Sequence, residues 1–252
     1  MKRFVPLVLL ALAGVAGQFV LATRRPVKSP AVAESAIAAL GGFRSVAAEA
    51  VWFRADRLQR DGRYVELAQL ASTLTFLEPH TPEVWSYSAW NLAYNISVMM
   101  PTEEDRWRWV RAAIRLLRDE GLKLNPEEPE LYRELAWMFQ LKLGADIDSA
   151  APLYRVKWRE IVEDVAARGA WDELAMSVPL KTEVEREYGV SDWTEPTASA
   201  IYWAHLGLRY ATEPHDVAFL REILKQSLVS YRKAANVVKY TDTESQERPN
   251  HE

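Results

Sequence analysis

The sequence predicts an all-α protein built from antiparallel helical hairpins and preceded by one N-terminal hydrophobic helix. Three observations support this fold class. A motif occurs twice, 47 residues apart; the helical period is nearly continuous from Phe43 onward; and no run of alternating β-branched residues with hairpin turns is present. A repeated helical motif indicates stacked hairpins, which usually bind partners along an extended surface.

The two copies of the motif begin at Pro82 and at Pro129. Each contains a proline, a glutamate, an aliphatic residue and an aromatic residue in that order, followed four positions later by Ala-Trp. Each copy follows a turn marked by proline and has the 3.6-residue period of a helix. One helical unit cannot bury its apolar face alone, so the duplication predicts copies that stack on each other.

The first predicted element is an apolar run of nineteen residues, Phe4 to Ala22, flanked by basic side chains. It is long enough to cross the hydrocarbon layer of a membrane as a helix. A signal peptide cleaved after Val20-Leu21-Ala22 is the alternative, and a buried helix is the third interpretation. We expect a membrane anchor with the soluble domain outside the cytoplasm, because short basic amino termini are usually retained inside. Export after signal cleavage is the corresponding alternative.

Composition divides the chain into four segments. Residues 1–23 form the anchor or signal peptide, and residues 24–42, which end in Gly41-Gly42, form a linker. The helical period defines a domain over residues 43–240. Residues 241–252 contain almost no apolar side chain and are expected to be a disordered tail.

Helix stop and start signals divide the domain into its elements. Asp61-Gly62-Arg63 permits a left-handed C-cap, and prolines at positions 79, 101, 126, 196 and 214 mark further breaks. Thr102 precedes three acidic residues, which is typical of a capped first turn. The predicted helices are 45–60, 64–77, 82–99, 103–124, 129–143, 147–168, 197–211 and 215–238, with a broken stretch at 171–188.

The distribution of charge argues against nucleic-acid binding. The first thirty residues contain five basic side chains and no acidic one, so the remaining 26 basic residues face 35 acidic ones. A domain with a net charge of −9 repels phosphate backbones. The chain has no cysteine, which excludes disulfides, thiolate metal sites and thiol nucleophiles.

No catalytic, cofactor or metal site is recognisable in the sequence. There is no glycine-rich phosphate loop and no nucleophile elbow. Asp146 and Asp148 are interpreted as a turn and an N-cap, and Glu183, Glu185 and Glu187 as a solvated helix face. The four histidines are too scattered for two of them to share a helical turn: His80, His205, His215 and His251. We therefore expect no cofactor, no metal and no small-molecule substrate.

Residues 48–81 resemble a tetratricopeptide repeat (TPR). Ala55 occupies the small-residue position where the two helices of a repeat cross, and Gly62 and Tyr64 match the turn glycine and the aromatic residue that opens the second helix. Pro79 matches the terminal proline of the repeat. The resemblance implies a TPR-like arrangement of helical hairpins.

Later units carry the same residue types at corresponding places. The second and third units hold an aromatic and a small residue in order, and a fourth first-helix does the same: Trp85 with Ala89, Tyr132 with Ala136, and Trp203 with Gly207. The second unit is about thirteen residues longer than a TPR, and no repeat is found between residues 168 and 196. The expected architecture is therefore an irregular α-solenoid.

The resemblance also implies a binding groove, because the first helices of TPR units line the concave face. A groove of aromatic and polar side chains suits an extended or helical peptide of a protein partner. The alternative is that Trp90 and Trp137 are buried packing residues. The positions carried over to the concave face are Trp52, Asp56, Gln59, Trp90, Ala93, Tyr94, Arg133, Trp137 and Gln140.

Trp107 and Trp109 alternate with arginines in a segment that the repeat does not account for. This pattern is found at membrane interfaces and partner surfaces, so the pair is the alternative binding surface. Residues two apart do not share a helix face, and one of the two rings is expected to face the core.

These observations predict a non-catalytic, membrane-anchored protein-interaction or assembly module. Two alternatives remain open: an enzyme with an unrecognised active site in residues 168–215, and a structural subunit of a membrane complex.

Overall fold

The computed structural model describes residues 46–246. The chain divides into two compact units, Met1–Glu49 and Ala50–Glu252. Of the first unit only residues 46–49 are described, and they are helical. The predicted anchor, the linker and the last six residues lie outside the described range. Within residues 46–246, no helix combines the length and the apolar character needed to span a membrane.

Residues 46–246 form helices and no β-strand, which confirms the all-α prediction. A short 3-10 helix, Trp171–Leu174, precedes the seventh helix. The α-helices are α1 (46–60), α2 (Tyr64–Leu77), α3 (82–99), α4 (103–124), α5 (129–143), α6 (Ala151–Arg168), α7 (Val178–Tyr188), α8 (Pro196–Tyr210) and α9 (Pro214–Gln246).

Two ends of the predicted helices differ from the observed ends by more than one residue. Helix α6 begins at Ala151 instead of residue 147, because the Asp148 carboxylate accepts a hydrogen bond from the Ala150 N–H (3.0 Å) and holds the preceding turn. Helix α9 continues to Gln246, past the expected end at residue 238 and into the segment for which disorder is predicted. No proline or glycine interrupts the chain between residues 215 and 246, so it contains no strong stop signal.

Three consecutive helices contain a π-helical segment: Asn91–Ile96 in α3, Leu116–Gly121 in α4 and Met138–Leu143 in α5. The first and the third lie 47 residues apart, and each begins directly after the tryptophan of the duplicated motif. A π segment is a local widening of the helix and is frequently found at functional sites. The duplication therefore includes an irregularity of the backbone as well as the sequence motif.

The aromatic residue of each copy anchors the preceding turn in the same way. The indole N–H of Trp85 donates to the carbonyl oxygen of Pro79 (2.9 Å). The hydroxyl of Tyr132 donates to the carbonyl oxygen of Pro126 (2.6 Å), and both pairs of residues are 47 positions apart. Each bond satisfies a backbone carbonyl at a point where the chain leaves helical geometry. The two copies thus form equivalent local structures.

Small residues occupy buried positions in several helices. Ala55, Ala89 and Ala136 are fully buried. A Cβ atom added to Gly207 in α8 would lie 2.8 Å from the Cβ of Tyr132 in α5 and 3.1 Å from Cδ2 of Leu220 in α9. Any larger side chain at this position would push α8 away from α5.

The buried apolar residues form two clusters. The smaller one joins α1, α2 and the start of α3 through Ala55, Leu58, Leu67, Leu74 and Val84. The larger one contains buried side chains of α3 to α9. In this part of the molecule α3 packs on α5, α5 packs on α8, and α9 lies against both α5 and α8.

Enlarging the small side chains at the buried positions should destabilise the fold. We expect Ala89→Leu and Ala136→Leu each to lower the free energy of unfolding by about 1–3 kcal/mol, because the added atoms overpack a filled core. Ala167→Leu is the matched control, since Ala167 is exposed on α6. Urea unfolding of the three variants is the measurement. If both Ala89→Leu and Ala136→Leu were as stable as the wild type, the core around these two alanines would not be tightly packed.

Candidate functional site

Trp90 and Tyr94 in α3 form one end of an aromatic surface. Their rings stack with centroids 6.0 Å apart and an interplanar angle of 28°. The Trp90 side chain is 39% exposed. The Tyr94 hydroxyl is buried and has no hydrogen-bond partner among the described residues. Burial raises the pKa of Tyr94, and the charge of the nearby Glu134 raises it further.

Arg133 and Trp137 in α5 form the other end, together with Phe219 of α9. The guanidinium of Arg133 lies over the Phe219 ring at 5.4 Å from its centroid, and the Trp137 ring packs on the same phenylalanine at 5.4 Å. Arg133 also donates to Asp216 of α9 through Nη1 (3.0 Å). Phe219 keeps 37% of its surface exposed.

Glu134 links the two ends. It accepts two hydrogen bonds of 3.4 Å from Arg133, and its charge acts on the hydroxyl of Tyr94. Burial raises the pKa of Glu134, and the adjacent Arg133 counteracts only part of this effect. The aromatic face is defined by five residues: Trp90, Tyr94, Arg133, Trp137 and Phe219.

Of the sequence-predicted residues of the first unit, Trp52 packs against the smaller apolar cluster and Asp56 lies outside it. The Trp52 indole donates to Glu78 (3.1 Å), and its ring packs against Tyr87 at 5.3 Å. Asp56 is exposed and forms an ion pair with Arg60 (2.7 Å). Trp52 is thus held by local packing, and Asp56 is a solvated charge.

The remaining predicted positions differ in their surroundings. Trp107 is buried and packs against Tyr154 with ring centroids 5.9 Å apart, so it is the ring of its pair that faces the core. Trp109 is half-buried at the margin of the core. Gln140 lies in the π segment of α5, and its side-chain oxygen is buried without a hydrogen-bond donor in the described part of the chain.

A buried ionic cluster lies beneath Tyr94. The Lys142 side chain is 2% exposed, and its Nζ lies 2.6 Å from Oδ2 of Asp148 and 5.2 Å from the centroid of the Tyr94 ring. Tyr154 donates to the same carboxylate oxygen (3.1 Å), and Arg106 donates to Oδ1 (3.2 Å). These contacts tie the π segment of α5 to α4 and α6.

The electrostatics of the cluster favour an ionised Asp148. Burial by itself would raise the pKa of this carboxyl. The hydrogen bonds from Lys142, the Ala150 N–H and Tyr154 outweigh burial, so the pKa is lowered from its ordinary value. The ion pair with Asp148 therefore holds Lys142 in place against the Tyr94 ring.

Breaking the ion pair on one side should be costly, because the other charge would stay buried without a partner. We expect Lys142→Met to lower the free energy of unfolding by about 3–5 kcal/mol. The double variant Lys142→Met with Asp148→Asn should lose less than the sum of the two single variants.

Lys157→Met is the matched control, because Lys157 pairs with Glu160 on the solvated side of α6. Its cost should stay below about 1 kcal/mol. Denaturant unfolding of these variants completes a double-mutant cycle. Equal, additive losses at positions 142 and 148 would mean that the pair is not coupled.

The sequence did not predict that several residues belong to these sites. Asp216 and Phe219 lie on α9, and nothing in the sequence indicates that α9 returns to α5. In the described range, one group of side chains has the composition to hold a metal ion: Glu183, Glu187 and His205. The spacing of Glu183 and Glu187 places them on one face of α7, but the position of His205 beside them depends on how α7 packs on α8.

No protein-family model matches this sequence, and comparisons with curated proteins and with solved structures give no significant match either.

Proposed function

We propose that the protein is a non-catalytic interaction or assembly module. It is anchored in the membrane by residues 4–22 and binds a partner protein through the aromatic face of a TPR-like domain. The observation that carries this proposal is the exposure of two aromatic rings, Trp90 at 39% and Phe219 at 37%, in two groups of residues that Glu134 connects. Tryptophan, tyrosine and arginine are the residue types that most often dominate the energetics of protein interfaces.

The packing order supports a TPR-like arrangement. The first helices of successive units, α3, α5 and α8, lie side by side, and α3 and α5 hold the duplicated motif. The burial of Ala89 and Ala136 and the close approach at Gly207 agree with the small-residue positions of the repeat. The π segments and the inserted α7 depart from a regular superhelix.

The packing of α9 on α5 within this protein is a model for how we expect a partner helix to bind. It lies on α5 and covers Trp137 with Phe219. Trp90 is the equivalent tryptophan of the first copy, and its ring stacks on Tyr94 while staying 39% exposed. We therefore expect the partner to present a helical segment whose apolar or aromatic side chain packs on Trp90, as Phe219 packs on Trp137.

Truncating the two partly exposed rings should weaken partner binding. We expect Trp90→Ala and Phe219→Ala each to weaken partner binding by about 2 kcal/mol, which is roughly 30-fold. Phe76→Ala is the control, because Phe76 is 73% exposed on α2. The measurement is crosslinked pull-down of the full chain from membranes, with melting temperatures recorded for all variants. Full partner retention by the Trp90→Ala/Phe219→Ala double variant would exclude this face and leave the surface at Trp109 to be tested.

The proposed anchor has its own test. The apolar run with basic flanks should keep the protein in the membrane pellet after carbonate extraction. Recovery of most of the protein in soluble form, beginning near Thr23, would mean that the run is a cleaved signal peptide.

An enzyme with its site in residues 168–215 is the second candidate, and two observations favour it. Glu183, Glu187 and His205 converge within this region. A cleft of about 490 Å³ is lined partly by Asp172, Glu173 and Ala175, and Ala175 has a left-handed backbone (φ 52°) that is uncommon outside glycine. Hydrolysis of a generic ester or phosphate substrate that is lost in His205→Ala would favour this candidate, and its absence in the wild type would leave the binding proposal.

A further inference from the structure

Helices α7 and α8 bring two carboxylates and one imidazole together. Glu183 and Glu187 are four residues apart in α7 and therefore lie on the same helix face. His205 belongs to α8, and its side chain is largely buried. One ligand atom from each of the three residues lies within 4.8 Å of the other two. This cluster is separate from the aromatic face.

Glu183 and Glu187 approach different nitrogens of the His205 ring, so a single ion bound at Nε2 requires the half-exposed Glu187 side chain to turn toward it. The Nε2 atom of His205 lies 3.1 Å from Oε1 of Glu183, and its Nδ1 atom lies 4.0 Å from Oε2 of Glu187. Nitrogen and oxygen ligands bind Zn²⁺ at about 2.0–2.2 Å, which separates neighbouring ligand atoms by about 3.0–3.5 Å. The His205–Glu183 pair already has this separation. A direct hydrogen bond has the same length, so the surrounding contacts must decide between them.

The second polar atom of His205 and the second carboxylate oxygen of Glu183 each contact another side chain. The Tyr188 hydroxyl lies 2.9 Å from Nδ1 of His205, and Arg209 donates to Oε2 of Glu183 (2.5 Å). Metal-binding histidines and carboxylates are commonly oriented in this way by partners on their second polar atom. Glu183 and Glu187 carry two negative charges and Arg209, whose Nη2 also lies 3.5 Å from Nε2 of His205, carries one positive charge, so a divalent cation would offset the remaining negative charge.

We propose that Glu183, Glu187 and His205 bind one divalent transition-metal ion between α7 and α8, with Zn²⁺ as the best match. A mixed set of imidazole and carboxylate ligands suits zinc, whereas Mg²⁺ prefers oxygen ligands and retains its water. Three protein ligands leave a coordination position for water or for a donor from another molecule. The ion would fasten α7 to α8 in addition to the contact between Tyr188 and His205.

Isothermal titration of the untagged full chain with ZnCl₂ and with MgCl₂ tests the proposal. We expect one Zn²⁺ per chain and no comparable binding of Mg²⁺. Glu187→Gln should weaken Zn²⁺ binding at least 10-fold, and its side chain is half exposed, so the fold should be retained. Tyr188→Phe, which changes only the outer contact, should weaken it by about 10–100-fold. Bound Co²⁺ should show visible absorption that Glu187→Gln alters.

His215→Ala is the matched control, because His215 is 80% exposed on α9 and should leave Zn²⁺ binding unchanged. His205→Ala should abolish stoichiometric binding, and Glu187→Gln decides the question if that variant does not fold. The proposal is overturned if the wild type takes up no Zn²⁺, if Mg²⁺ binds as tightly as Zn²⁺, or if Glu187→Gln binds Zn²⁺ like the wild type. The cluster would then be a hydrogen-bonded contact between two helices.

Discussion

The close approach of three helices at Gly207 is the constraint on which the aromatic face depends. Because Gly207 has no Cβ, α8 can lie against Tyr132 of α5 and Leu220 of α9 at the same point. This places the beginning of α9 on α5, where Phe219 reaches Trp137 and Asp216 reaches Arg133. A side chain at position 207 would clash first with the Cβ of Tyr132 and push α8 away from α5. The packing around the aromatic face therefore depends on a buried glycine.

The two copies of the duplicated motif are similar in sequence but have different neighbours in the structure. Both copies begin a helix at the proline of the motif, anchor the preceding turn with an aromatic side chain and contain a π segment at corresponding residues, but α3 continues to Met99 whereas α5 ends at Leu143. Lys142 of the second copy corresponds to Asn95 of the first. Asn95 hydrogen-bonds Asn91 within its own helix (3.0 Å), whereas Lys142 forms a buried ion pair with Asp148. The second copy is thereby fixed to the turn that precedes α6, whereas the hydrogen bond of Asn95 stays within α3.

Much of the fold follows from local signals in the sequence. Prolines and glycines at helix ends, combined with the 3.6-residue period, predict the bounds of α2 to α5 because each signal acts within one turn of the chain. The π segments were not predicted, since a six-residue widening barely changes the apolar period. The continuation of α9 to Gln246 was also missed, because its polar sequence indicates solvent exposure and not the absence of a helix.

The candidate sites were less predictable, because they depend on contacts between distant segments. The repeat pattern in the sequence assigned four residues to the first helices of the TPR-like units: Trp90, Tyr94, Arg133 and Trp137. It gave no information on which of them α9 would cover. Glu183 and Glu187 are visible as a helix face in the sequence, but His205 joins them only through the packing of α7 on α8. Sequence periodicity describes single helices, whereas the sites arise where helices meet.

We propose that Trp90 contacts a helical segment of the partner protein. Site-specific photocrosslinking of the full chain in membranes tests it most directly, with a photoreactive phenylalanine placed at position 90 or, as a reference, at position 76. The account predicts a discrete adduct from position 90 whose crosslinked peptide belongs to an amphipathic helix of another protein, and no such adduct from position 76. Adducts of equal yield from both positions, or crosslinks from position 90 only to this chain itself, would contradict it.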